Sequence, residues 1–530
     1  MKATVAAVSL ALSQASVAGL LNIAGPRHFQ ISGGGGATET PVWQEWDALS
    51  ATYIVDPEKT TDGDGTEGDP WQMEQIRTCP APTTSHIIIE ILPGRFTIDS
   101  NNASGNKYAF IYPNNDGASA SARIIIRARY RGEDVIEANR TYVGRSNPGM
   151  APEWDNSSRG SLIGGLNNNW IVWQGIWLDT DTFPDYTDDM GGFGEYASIS
   201  HWGCNNCGVF QCHATNGNGV DYLGGNQAIV YEEGCTLMTY TDNYLANIGA
   251  GTDAGAGNVG IFQSYDCNRT TFAYNTVSGP AAYGVYFKGT HDAEKDQVYG
   301  HRVHNNLIDG TSAGIIFASP KYGTSPLDPN GSWAFKNVII DAQIPMYARS
   351  FNSNEPNGIA FCNNTIYRTA VYAASGWFGF STAYFAFLGG SSAWAEESLG
   401  DRILIHQNNS YSGGAQYAIH ANPQRTEVDN WISTKNAYHG YTVAFGKEGD
   451  GGASFTLANW QGEYDTSGNV VTDDPSLADP ANGDVEIDNT SPCWLAGLDV
   501  LNIDGNGLNE PINMGAWTAR YNVFGLRAAA

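Results

Sequence analysis

Positive charge is what this sequence has least of. Its 530 residues carry 27 Lys and Arg against 55 Asp and Glu, a formal net charge of −28. Such a chain is repelled by phosphate backbones and by anionic lipid surfaces, which argues against nucleic acid and against such membranes as partners. A strongly anionic substrate would need a local basic patch or a metal ion to offset the field. Chemistry-bearing motifs are missing too. There is no nucleophile elbow, P-loop, dinucleotide fingerprint or zincin helix in a fitting context. Function must then come from side chains projecting from the fold. Long apolar runs are also scarce: residues 1–20 are too interrupted for a comfortable membrane span. Charged residues make up only 15%, against 63 Gly and 12% aromatics, a balance that suits tight turns and a stacked apolar interior.

What the sequence does have is a column of asparagines. Asn243, Asn275, Asn306, Asn337, Asn364, Asn409 and Asn436 each sit between two strand-like runs, at steps of 32, 31, 31, 27, 45 and 27 residues. His213 lies 30 residues before Asn243 and fills the same place in this reading. A second column, Gly219-Val-Asp-Tyr, Gly260-Ile-Phe-Gln, Gly284-Val-Tyr-Phe and Gly314-Ile-Ile-Phe, follows the first. Repeats of this period mark stacked units, and units of strands and turns make a β-solenoid. An Asn tolerates left-handed backbone at a turn, and its amide can bond the Asn of the next coil.

These columns resemble the right-handed parallel β-helix superfold of the pectate-lyase-like proteins. So do the flanks: Tyr53-Ile-Val-Asp-Pro, Gly68-Asp-Pro-Trp71 and Ile91-Leu-Pro-Gly-Arg-Phe96 at the start, and Asp479 to Asp484, Ser491-Pro-Cys493 and Met514-Gly-Ala-Trp517 at the end. The resemblance covers about residues 50–517. It implies an all-β solenoid of roughly ten or more coils. It does not single out an activity, because the superfold hosts lyases, hydrolases, phage tailspikes and non-catalytic surface proteins.

Three regions follow: an apolar N-terminal segment with a Gly-rich joint (1–40), the helix with projecting loops (41–517), and a tail (518–530). The first reads as a secretory signal or as a retained anchor for a second copy or a virion partner. Trp71 to Thr78 reads as a short helix capping the stack. His86–Leu92, Ala122–Ala128 and Trp170–Leu178 read as strands. The loop 179–196 holds Asp179, Asp181, Asp185, Asp188, Asp189 and Glu195; it offers oxygen ligands for Ca²⁺ or is simply solvated. No motif demands any other cofactor. Cys204-x-x-Cys207 with Cys212 and His213 reads as inward-facing small residues before it reads as a zinc site. Cys235 and Cys267 stand eight residues before their Asn, and so should stack about 4.8 Å apart, as a disulfide or as two thiols.

Period-2 alternation in the Gly column sends Val220, Ile261, Val285 and Ile315 inward with Tyr222, Gln263, Phe287 and Phe317. Asp221, Phe262, Tyr286 and Ile316 then face outward with Leu223, Ser264, Lys288 and Ala318. Lys288, His291, Arg302 and His304 form a local concentration of cationic and titratable groups. A lyase needs a base and a cation beside a uronate carboxylate, which points to Lys288, Arg302, His291 and Asp221 as catalytic candidates. A hydrolase needs two carboxylates, drawn from Asp221, Asp242, Asp253 and Asp266. Tyr286 and Phe262, walled by Trp377 and Trp394 of the long 364–409 step, are the sugar-stacking candidates. The expected protein is an extracellular or virion-borne spike that binds a surface polysaccharide and has room for depolymerase chemistry. Its rivals are a secreted lyase or hydrolase and a purely structural protein. Asn306→Leu should cost roughly 1–3 kcal/mol.

Overall fold

The structure is a computed structural model of the chain. It describes residues 42–98, 111–132, 135–145, 161–179, 197–215, 227–246, 259–289, 299–318, 331–350, 358–372, 382–389, 404–407, 409–421, 431–447, 454–455, 474–477, 487, 490–498, 511–512 and 514–515. The N-terminal segment, the tail and most of the loop 179–196 lie outside the described residues.

Each coil contributes up to three short strands. In one coil they are Gln227–Glu233 on a first face, Thr239–Thr241 on a second and Tyr244–Ala246 on a third. The second face is a sheet of twelve strands running from Tyr53–Val55 to Trp431–Thr434. The first and third faces are joined where Thr276–Lys288 and Leu307–Ala318 run through both. Neighbouring strands within the faces pair in parallel, rung on rung, until Ser454–Phe455 pairs antiparallel with Tyr441–Lys447 near the end. The chain is a parallel β-helix.

Inward columns fill its interior. Val230, Phe262, Val285, Ile315, Met346 and Phe385 line the first face; Tyr240, Phe272, Val303 and Ala334 the second; Leu245, Val277, Ile308, Ile339 and Ile366 the third. Each large member contributes roughly 1.5–3 kcal/mol by leaving water. One feature closes the end of the stack, and another lies along the flank of the second face over Ile88, Ile125, Val172 and Phe210. Met73–Thr78 is a 3₁₀ turn whose Met73 and Ile76 join the core, as the sequence suggests. A helix not foreseen, Val42–Asp47, places Trp46 against Phe210, and Arg127 donates to the Trp46 and Leu49 carbonyls.

The asparagine ladder is present. In every coil from Asn243 to Asn409 the side-chain oxygen of the next Asn accepts both the backbone N–H and the Nδ2 of the one before, at 2.9–3.1 Å. Two details correct the sequence reading. At six of the seven ladder positions the left-handed residue is the one before the Asn: Asp242, Tyr274, Asn305, Lys336, Asn363 and Lys435 all have φ between 53° and 58°. The ladder bonds hold that backbone in place at a cost of about 1–2 kcal/mol per turn. The place below Asn243 belongs to Cys212, whose N–H donates to Asn243 Oδ1 at 2.9 Å. His213 pairs instead with Tyr244 on the third face. The expected strand Trp170–Leu178 breaks in two at Gly175, whose φ is 72°.

All eight cysteines are buried and free. The Cys204 N–H points at Cys235 Sγ (3.4 Å) and the Cys235 N–H at Cys267 Sγ (3.2 Å), so these thiols stack. Cys204, Cys207 and Cys212 lie in the interior, while His213 is sandwiched on the outer side between Trp177 (3.9 Å) and Tyr244 (4.6 Å). The four therefore do not converge.

Candidate functional site

The sequence-derived site residues scatter. Phe262 registers with Val285, and Gly260 with Tyr283. Aligning Gly260 with Gly284 is thus one residue out, and a one-residue slip turns a side chain to the opposite face. Phe262 is wholly buried in the core, and Gln263 shares the outer face with Tyr265, whose hydroxyl donates to it at 3.2 Å. Ser264 turns inward toward Glu232. The Gly284 and Gly314 rungs are oriented as expected: Val285, Phe287, Ile315 and Phe317 are in the core. Tyr286 is on the outer face but only 1% exposed, inside an apolar layer with Tyr283, Ile316 and Tyr347.

The cationic cluster also comes apart. Lys288 projects from the first face, its Nζ 5.1 Å from the centroid of the Tyr265 ring. Arg302 belongs to the second face, lies 4.1 Å over Trp333 and donates to the His301 and Gly331 carbonyls. Burial pushes its guanidinium down to about 9. His301 is interior, stacked on Phe287 at 4.1 Å, and burial lowers it to about 3; His304 stacks on Phe335 and is lowered to about 4. His301 and His304 are buried, and Arg302 is half-buried on a different face from Lys288. Asp221, His291, Trp377 and Trp394 lie outside the described residues. Part of the 364–409 step is core strand, Ala383–Gly389, with Tyr384 and Phe385 buried.

A different set does converge. On four successive rungs of the first face, one outward column reads Trp202, Glu233, Tyr265, Lys288. An aromatic ring, a carboxylate, a second ring and an ammonium follow one another about 4.8 Å apart. Trp202, Glu233 and Lys288 are partly exposed; Tyr265 is 5% exposed. Tyr231 backs the column, with ring centroids 5.2 Å from Trp202 and 5.4 Å from Tyr265, and its hydroxyl donates to Glu233 at 2.5 Å. Tyr286 continues the rings at 6.2 Å from Tyr265. The sequence carried a signal for this column. Trp202-Gly-Cys204, Glu233-Gly-Cys235 and Tyr265-Asp-Cys267 repeat at the Cys spacing, and lining up the Cys residues lines up the outward residues.

The rings of this column meet at tilts of 33–35° and more than 5 Å, so their faces are not fully covered by one another. The third-face stack differs. There Trp177, His213 and Tyr244 lie at interplanar angles of 21° and 15°, and Arg140 covers Trp177 at 3.7 Å. Those faces are spent on each other, and burial lowers His213 to about 3. That stack stiffens the coil.

Inside the same strand, Glu232 points the opposite way from Glu233. It is wholly buried, accepting from Thr270 Oγ1 (2.7 Å) and Tyr240 Oη (3.1 Å), while Tyr240 also meets His201 Nδ1 at 3.1 Å. Burial raises its carboxyl to about 7. The backbone of the sheet separates it from the outward column.

No family model matches the sequence, and no curated protein matches it. Solved structures do resemble the fold. A pectate lyase is 12% identical, with a TM-score of 0.35, over 89% of this chain and 98% of that one. An exopolygalacturonase from Thermotoga maritima is 12% identical, with a TM-score of 0.39, over 72% and 87%. The Dettilon tailspike protein is 12% identical, with a TM-score of 0.32, over 79% and 72%. The architecture rests on the strand pairing above, independently of these likenesses. Among the described residues no helix is long and apolar enough to cross a membrane.

Proposed function

We propose that the protein recognises a surface polysaccharide laid along the column Trp202–Glu233–Tyr265–Lys288, as an extracellular or virion-borne spike. The alternation of ring, carboxylate, ring and ammonium on one face carries this reading. A glycan running parallel to the helix axis meets the partly exposed Trp202 ring, then the Glu233 carboxylate, then the Lys288 ammonium seated by the buried Tyr265 ring. Trp202 stacks a sugar ring, Glu233 accepts from hydroxyls, and Lys288 pairs with an acidic sugar. That cation supplies the local positive charge an acidic glycan needs in a chain of net charge −28.

A lyase is the second reading, favoured by Glu233 and Lys288 sharing one column two rungs, or about 10 Å, apart. Their side chains can close across one sugar, with Glu233 as base and Lys288 neutralising the uronate carboxylate. One set of assays tests both. The full chain is screened against polygalacturonate, alginate and capsular polysaccharides. Trp202→Ala should weaken the bound glycan by about tenfold or more. If unsaturated sugar ends appear by ultraviolet absorbance, Lys288→Ala should abolish them. Binding without cleavage leaves a receptor-binding spike. Wild-type protein that binds none of these glycans, or binding indifferent to Trp202→Ala, refutes the column.

A further inference from the structure

A cavity of about 430 Å³ opens on the third face toward the C-terminal end, lined by Tyr367, Ser412, His439, Asp474, Ser476 and Leu477 over a floor of Gly413, Gly414 and Gly440. It belongs to a different face from the outward column.

The short segment 474–477 builds it by crossing the outside of the third face. Leu477 packs on the apolar patch Leu307, Val338 and Ile340, and Ser491 Oγ donates to the Pro475 carbonyl at 2.5 Å. Asp474 Oδ1 accepts the Ser476 N–H at 2.9 Å, and Asp474 Oδ2 lies 3.9 Å from His439 Nε2. Ser476 has φ of 55°, a left-handed backbone that serine adopts at a cost. The floor is bare backbone: a Cβ at Gly413 would stand 2.0 Å from the Arg368 carbonyl oxygen. Beneath it, the Tyr384 hydroxyl accepts the Gly414 N–H (2.9 Å) and donates to the His439 carbonyl (2.5 Å). Floor and strap are thus both held from below.

We propose that this cavity is a second saccharide site, taking one uncharged pyranose ring. Its lining supplies an aromatic ring and a leucine for the C–H face of a sugar. Two serines and an imidazole can each donate or accept, as sugar hydroxyls do, and the Asp474 carboxylate can accept from a vicinal hydroxyl pair. Among the described residues no Lys or Arg lines the cavity, and the Asp474 carboxylate repels a uronate or phosphate. The volume falls within the range of small-molecule sites, about 300–1,000 Å³.

The test uses the full chain and saturation-transfer NMR with the methyl glycosides of glucose, galactose, mannose and N-acetylglucosamine, and with methyl glucuronoside as the anionic control. At least one neutral glycoside should bind, with the glucuronoside about tenfold weaker or worse. Asp474→Asn, which keeps an oxygen for the Ser476 N–H, and His439→Ala should each weaken it about tenfold. Both residues are exposed, at 62% and 40% of their side chains, so the fold should tolerate either change; an unchanged melting curve verifies this. Trp202→Ala should leave this binding unaltered, which separates a failure here from a failure of the outward column. The proposal is overturned if no neutral glycoside binds, if the glucuronoside binds best, or if both cavity variants bind as wild type.

Discussion

Replacing Asn306 by leucine removes the middle of the ladder. Asn306 Oδ1 accepts the Asn275 N–H (2.9 Å) and Asn275 Nδ2 (3.1 Å); its Nδ2 donates to Asn337 Oδ1 (2.9 Å) and to the Phe272 carbonyl (2.9 Å). All four bonds vanish in the variant, while its own N–H keeps Asn337 Oδ1. The Asn275 N–H is left buried without that acceptor, at about 1–3 kcal/mol, and the other three bonds are worth about 1 kcal/mol each. The sum is about 4–6 kcal/mol, above the range the sequence alone suggested, because one Asn serves two neighbours and a carbonyl at once. Left-handed Asn305 also loses part of what holds its turn. Solenoids need not unfold in two states, so the denaturant midpoint should be read beside hydrogen exchange. Exchange at the Asn275 amide should accelerate by two or more orders of magnitude, the equivalent of about 3 kcal/mol or more. An unchanged Asn275 amide, or a stability loss under about 1 kcal/mol, would refute the reasoning.

The interior acid makes stability depend on pH. Glu232 titrates near 4.5 when unfolded and at about 7 when folded, raised by burial. Folding therefore takes up a proton between those values. The stabilisation is full below the lower value and lost as pH rises through the upper one, and is on the order of 3 kcal/mol. His213, His301 and His304, lowered by burial, titrate in the opposite sense, so the test is the difference between wild type and Glu232→Gln: in denaturant melts the wild type should lose about 2–3 kcal/mol relative to the variant between about pH 5 and about pH 8, and a difference that does not change with pH would contradict the assignment. The eight buried thiols should resist a thiol reagent until the protein unfolds, because burial keeps the reagent from each sulfur; it also raises Cys79 and Cys212 to about 12, whereas hydrogen bonds from Cys207 and Cys235 lower Cys204. Rapid native-state labelling would argue against that burial. Arg127→Ala should release the Val42–Asp47 helix and cost about 2–4 kcal/mol, seen as new protease cleavage near Asp47. Cleavage unchanged from wild type would show that Trp46 and the bonds of Asp47 to Arg131 and Gln174 hold the helix without Arg127.

Some of this was legible in the residue order. The Asn spacing dictates the ladder because an amide that repeats once per coil can only stack on itself, and the inward set Val285, Phe287, Ile315 and Phe317 follows from alternation on a strand. The Gly260 rung failed because a strand's facing has period 2 while the connection before it has no fixed length: Asn243 to Gly260 is 17 residues and Asn275 to Gly284 is 9. Counting from the Asn could not fix the parity, and only hydrogen-bonded register placed Phe262 inside. His213 lost its place to Cys212 for the same reason, by one residue. The Lys288–Arg302 pairing looked local because the two are close in sequence, but a coil turns a corner between them. Conversely, Trp202 and Lys288 are 86 residues apart and share one column, because each turn of the solenoid returns the chain to the same face. The cavity under residues 474–477 was beyond sequence reasoning altogether. It exists because Leu477 finds an apolar patch made by strands more than 130 residues earlier, and such a contact is decided by the completed surface and not by any local pattern.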